Sequence, residues 1–147
     1  YGFQVYSVSP SQLLKSRNLS SDLSQTGLWR FVVEIQGRPA ALLTVAETGG
    51  QWKAVAIGGA QLAAEVARVM ERWPEAQGYS HRFARFYQAR VDFIEVSSNG
   101  KVIGFVPLTA SRLAFGMDAK FDPAALLHDS EIMPRLQKTA VDTINEN

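Results

Sequence analysis

Between Leu28 and Trp73 the hydrophobic period changes once, from two to helical, and the change falls at Gly58-Gly59. No other feature limits the fold as much. Before the glycines, three runs rich in apolar residues (28–36, 40–47 and 52–57) are separated only by Gly37-Arg38-Pro39 and by Thr48-Gly49-Gly50-Gln51. Connections this short join antiparallel neighbours, because parallel pairing needs a crossover of a dozen or more residues. The segment therefore predicts a three-stranded antiparallel meander, with Pro39, which has no N–H, at a strand start or on an edge. After the glycines, Leu62, Val66, Val69, Met70 and Trp73 recur at spacings of three and four. That pattern predicts a helix packed on the meander, with Gln61, Glu65, Arg68, Glu71 and Arg72 turned to water and Pro74 ending it.

A second β region follows. Asn99-Gly100 supplies the two positive-φ positions of a tight hairpin and joins 91–96 to 101–106. The stretch before it, 82–89, reads as a further strand, because aromatics favour strands and arginines in a first helical turn oppose the dipole. A helical stripe capped by Ser80 is the alternative. At the start of the chain, Tyr1, Phe3 and Val5 alternate as in a strand, Ser9-Pro10 opens a short helix, and the serine-rich segment 18–27 reads as a surface loop. Towards the end, 109–117 reads as a short helix and Asp122-Pro123 as the start of another, kinked or restarted by Pro134 near Ser130. Together these elements predict an α+β fold: an antiparallel sheet built from two meander or hairpin units, with helices packed mainly on one face. The reading is of a single globular domain over residues 1–147, with a C-terminal helical segment from about residue 122 docking on it.

Composition narrows the chemistry. With 15 basic and 14 acidic residues the net charge is +1, so no nucleic-acid partner is favoured. The chain has no cysteine, which excludes disulfides, thiolate nucleophiles and cysteine-held metals. No apolar run approaches the roughly 20 residues of a transmembrane helix. A first residue Tyr1 in place of Met suggests a processed or trimmed chain, and the reading points towards export.

Gly58-Gly59, between a strand and a helix, resembles a phosphate-cradling turn in outline only. It has neither GxGxxG nor GxxxxGK[ST] and no lysine, so it reads as a corner that uses glycine's freedom in φ. His128 and Glu131 stand one helical turn apart, but HExxH is absent and no second ligand pair accompanies them, so neither a metal nor a cofactor is expected. No GxSxG elbow is present.

The remaining cluster interleaves arginines and aromatics between His81 and Arg90. From it, Arg82, Arg85, Tyr87 and Arg90 are the candidate ligand-binding residues, since guanidiniums beside rings hold anions. The function read from these residues is a non-enzymatic binding or interaction domain for a protein, peptide or small anionic ligand, as a monomer or homodimer. One alternative is a small hydrolase with His81 or His128 as general base. The other is a structural subunit that assembles through its apolar tail.

Overall fold

A computed structural model describes residues 2–118 and 120–146; Tyr1, counted above with the first strand, lies outside them. In chain order the elements are β1 (Gly2–Ser7), α1 (Pro10–Lys15), α2 (Leu19–Asp22), β2 (Ser24–Ile35), β3 (Arg38–Thr48) and β4 (Gln51–Gly58). Then come α3 (Ala60–Arg72), a 3-10 turn (Glu75–Gln77), β5 (Tyr79–Phe86), β6 (Val91–Ser98), β7 (Lys101–Pro107), α4 (Thr109–Ala114) and α5 (Asp129–Asn145). Among the described residues the strands form one open sheet in the order β4-β3-β2-β1-β5-β6-β7. Every neighbouring pair is antiparallel except β1 and β5, which run parallel. The chain is thus α+β with a mostly antiparallel sheet, and 82–86 belongs to a strand.

Local sequence accounts for several of these boundaries. Ser9 caps α1, its hydroxyl accepting from the Gln12 N–H at 3.3 Å, and Pro10 occupies the first helical position. Asn99 and Gly100 both have positive φ, at 52° and 75°, and set the pairing of Ser98 with Lys101. Pro39 sits second in β3, before the β4 partners begin at Leu42, so its missing N–H leaves no ladder bond unmade.

The helices do not gather mainly on one face. Along β6, Val91 and Phe93 pack with Leu13, Leu19, Ile132 and Leu136 of α1, α2 and α5. The alternate residues Ile94 and Val96 pack with Ala63, Val66 and Val69 of α3. Successive strand residues point to opposite faces, so the sheet is covered on both sides here. The first of these clusters takes no residue from β2, β3 or β4.

Two segments differ from the sequence reading. Residues 18–27 are not a loop: Asn18 caps α2 by accepting from the Ser21 N–H at 3.0 Å, and Leu19 and Leu23 are both buried. Pairing of β2 then begins at once, Ser24 opposite Ser7. Nor does a helix start at Asp122-Pro123, because the backbone there is drawn outward. The Ala124 carbonyl accepts from the Trp73 indole N–H at 3.0 Å, and Leu127 exchanges two hydrogen bonds of 2.8 Å with Phe105. α5 begins only at Asp129 and then continues through Pro134.

Gly58 and Gly59 also depart from the expectation. Neither has positive φ; Gly59 lies at −71°. A Cβ on Gly58 would make ordinary contacts, the nearest at 3.5 Å, and one on Gly59 would meet nothing within 4 Å. The corner needs no glycine freedom. Gly104 does need its bare Cα, since a Cβ there would stand 2.9 Å from the Leu127 carbonyl oxygen and 3.0 Å from Leu126 Cβ. Gly104→Ala is expected to push the 126–127 segment off β7 and to cost about 1–3 kcal/mol, measured as a lowered urea midpoint with unchanged slope.

Candidate functional site

β5 carries two of the four candidate residues, Arg82 and Arg85, on opposite faces of the sheet, and Tyr87 and Arg90 lie in the turn that follows it. Arg82 lies with Ala84 and Phe86 on the side of α1, α2 and α5, whereas Arg85 lies with Phe83 on the side of α3. Arg82 is committed to Glu95 and Ser20. Its Nε and Nη2 donate to the two Glu95 carboxylate oxygens at 2.6 and 2.7 Å, and Nη2 also reaches the Ser20 carbonyl and hydroxyl at 3.0 Å. The guanidinium stacks 4.6 Å from the Tyr6 ring centroid. Arg90 is exposed and shares the β5–β6 turn with Tyr87, its N–H donating to the Tyr87 carbonyl at 3.3 Å, with φ of 55°. Arg85 and Tyr87 meet through their side chains, the guanidinium carbon 5.3 Å from the ring centroid.

Those two line a cavity of about 400 Å³ on the α3 face of the sheet, with Arg30, Thr44, Leu42 and Leu62. Arg30 reaches it from β2, on the same face as Val32, which packs under α3. Its Nε donates to the Thr44 hydroxyl at 3.2 Å, and its guanidinium lies 4.5 Å from the Phe83 ring centroid. Nη1 is buried and has no hydrogen-bond acceptor. A buried charged donor without an acceptor is costly, so this atom is the least satisfied cationic group of the site.

One carboxylate bonds Arg85 and acts on Arg30 through its charge alone. Asp92 accepts from Arg85 Nη1 at 3.4 and 3.5 Å, long for an ion pair. Burial raises the Asp92 pKa above the usual carboxylate range, and Arg85 and Arg30 partly oppose that rise. Burial likewise lowers the Arg30 pKa; Asp92 opposes this effect and Arg85 adds to it. Two guanidiniums and one carboxylate leave the polar end of the cavity one positive charge in excess, while Leu28, Leu42, Val55 and Leu62 make the rest apolar.

Comparison with family models, with curated proteins and with solved structures gives no match for this chain. Arg30 was not among the residues picked from the sequence, although a signal was there. It occupies an inward position in the Leu28, Arg30, Val32 alternation, where a charge is rarely placed without a purpose.

The histidines are placed differently. His81 lies on β5 with both ring nitrogens buried and lacking well-formed hydrogen bonds. Burial lowers its pKa, against smaller opposing effects of the Trp73 backbone and Glu75. His128 is exposed and lines a groove of about 620 Å³ with Asp129, Ser20, Ser21 and Lys101. No hydrogen bond joins its ring to any described hydroxyl or carboxylate, whereas a general base works within about 3 Å of the proton it takes. Among the described residues no cluster of three or more His, Asp or Glu is placed to hold a metal ion, and no helix is long and apolar enough to cross a membrane.

Proposed function

We propose that this chain is a non-enzymatic binding domain whose ligand is a small amphipathic anion, held in the cavity between α3 and β2–β4. The observation that carries this reading is the buried, unpaired Nη1 of Arg30 beside Arg85. An anionic head group would give that donor its acceptor and balance the excess positive charge. The aliphatic wall formed by Leu28, Leu42, Val55 and Leu62 suits an alkyl or aromatic tail. The cavity volume falls in the ordinary range for small-molecule sites.

Titration calorimetry with decanesulfonate tests this, because the sulfonate keeps its charge at every working pH. Saturable binding is expected to weaken at least about tenfold, some 1.4 kcal/mol, in Arg30→Met and in Arg85→Met. Arg90→Ala should leave it unchanged. The pH dependence follows from Asp92. Its folded pKa is raised, so the folded state gains stability as pH falls through that pKa and its ionised form is a burden at neutral pH. Once protonated, Asp92 no longer competes for the guanidiniums, and sulfonate affinity should rise as pH falls. Asp92→Asn should tighten binding and flatten that profile. Absence of binding, or binding indifferent to Arg30→Met, overturns the reading.

A further inference from the structure

The face of β2–β4 turned away from α3 is bare. Pairing registers place Trp29 beside Val45 and Ala54, Phe31 beside Leu43 and Ile57, and Val33 beside Ala41, all on this side. Gly2 and Gln4 of β1 continue the rows next to Phe31 and Trp29. α3 covers the opposite side through Val32 and Leu42, and the core formed with α1, α2 and α5 takes no residue from these three strands. Ile57 is 73% exposed, Ile35 64%, Trp52 57% and Phe31 38%. Contiguous apolar surface of this kind marks an interaction site.

We infer that this face is the contact surface of a homodimer, two copies packing sheet on sheet about a two-fold axis that lies across the strands. Its size favours a second sheet over a peptide or a single helix. Strands β1–β4 have 6, 12, 11 and 8 residues; at about 4.8 Å between strands and roughly 3.3 Å per residue they project to about 600 Å². Side-chain relief brings that close to the roughly 800 Å² that each partner hides in an interface of standard size. A helix, about 10 Å wide, would leave half of it wet.

Charge selects the symmetry. The interior rows carry no charge, while Arg38, paired with Ile35, marks one end of the face and Glu47, paired with Trp52, marks the other. Both side chains are exposed, and neither has an ion-pair partner among the described residues. A two-fold axis across the strands sets Glu47 of each copy against Arg38 of the other, so one complementary contact forms twice. Two copies with their strands running in the same direction would instead oppose like charges.

Analytical ultracentrifugation over a concentration series tests the inference. The wild-type chain is expected to be dimeric at low micromolar concentration. Phe31→Lys and Ile35→Lys, both at already exposed positions, should each raise the dissociation constant at least about 100-fold with an unchanged far-ultraviolet spectrum. Arg38→Glu alone and Glu47→Arg alone should each weaken the dimer, and the double exchange should restore it. A chain that stays monomeric at concentrations on the order of 100 µM overturns the inference, as does a dimer indifferent to Phe31→Lys. Failure of the double exchange to restore affinity overturns the two-fold arrangement.

Discussion

Arg82→Ala is expected to destabilise the fold by about 3–5 kcal/mol, more than loss of any other arginine in the His81–Arg90 stretch. The reason lies in its partner. Glu95 has a side chain only 2% exposed, and both of its oxygens are satisfied by Arg82. Removing the guanidinium leaves a carboxylate buried without a counter-charge, and it also frees the Ser20 carbonyl that Arg82 ties to the sheet. A double variant, Arg82→Met with Glu95→Gln, removes both charges together and should recover a large part of the loss. Urea unfolding followed by tryptophan fluorescence measures both; equal stability of the single variant and wild type would refute the structural role given to Arg82. By contrast, Arg85→Met should change stability little, since its contact with Asp92 is long and partly solvated.

Glu65→Ala has the second-largest expected effect, about 2–4 kcal/mol. Helical spacing placed Glu65 on the water side of α3, yet the residue is buried. Its carboxylate accepts from the Thr109 N–H at 3.3 Å, from the Thr109 hydroxyl, and from Arg112 Nη2 at 3.1 Å. It therefore closes the open N-terminus of α4 from a different helix, because Leu108 at the cap has no side-chain oxygen to offer. A six-residue helix does not hold its shape alone, so α4 depends on this carboxylate and on the Ser111 hydroxyl bonded to the Asp92 carbonyl. Amide exchange in Glu65→Ala should quicken across 109–115 before it changes elsewhere. Glu65→Gln, which keeps acceptors but not charge, should fall between that variant and wild type. Unaltered exchange in α4 would refute this account.

Where the sequence was informative, one local signal decided the outcome. Asn99-Gly100 allowed one kind of turn, Ser9-Pro10 one kind of helix start, and the period change after Gly58 separated strand from helix. The misreadings share a different origin. Glu65 sits at the edge of the Leu62, Val66, Val69 stripe, and only the later arrival of Thr109 and Arg112 makes an inward acid tolerable. Asp122-Pro123 has the grammar of a helix start, but distant Trp73 and Phe105 claim its backbone groups. Helix cover on both faces was partly legible, because Val91 and Phe93 on one face and Ile94 and Val96 on the other give β6 apolar residues on both sides, as double-sided burial requires. In the candidate site, Arg85 and Tyr87 were readable as a cation beside a ring. Their separation from Arg82 follows from strand alternation, and their meeting with Arg30 comes from the sheet order, which periodicity does not encode.

That order gives β1 a mechanical importance out of proportion to its six residues. Strands β2–β4 and β5–β7 are each joined by short local turns, so each trio can assemble with little loss of chain entropy. Only β1 lies between them, and among the described residues its parallel register with β5 consists of Val5 opposite Phe83 and Tyr6 opposite Ala84. The molecule therefore has a seam along its middle, the narrowest stretch of hydrogen bonding in the sheet. During unfolding the two halves are expected to part there first, with the N-terminal strand acting as the latch; amide exchange at Val5 and Tyr6 no faster than along β2–β3 would refute this.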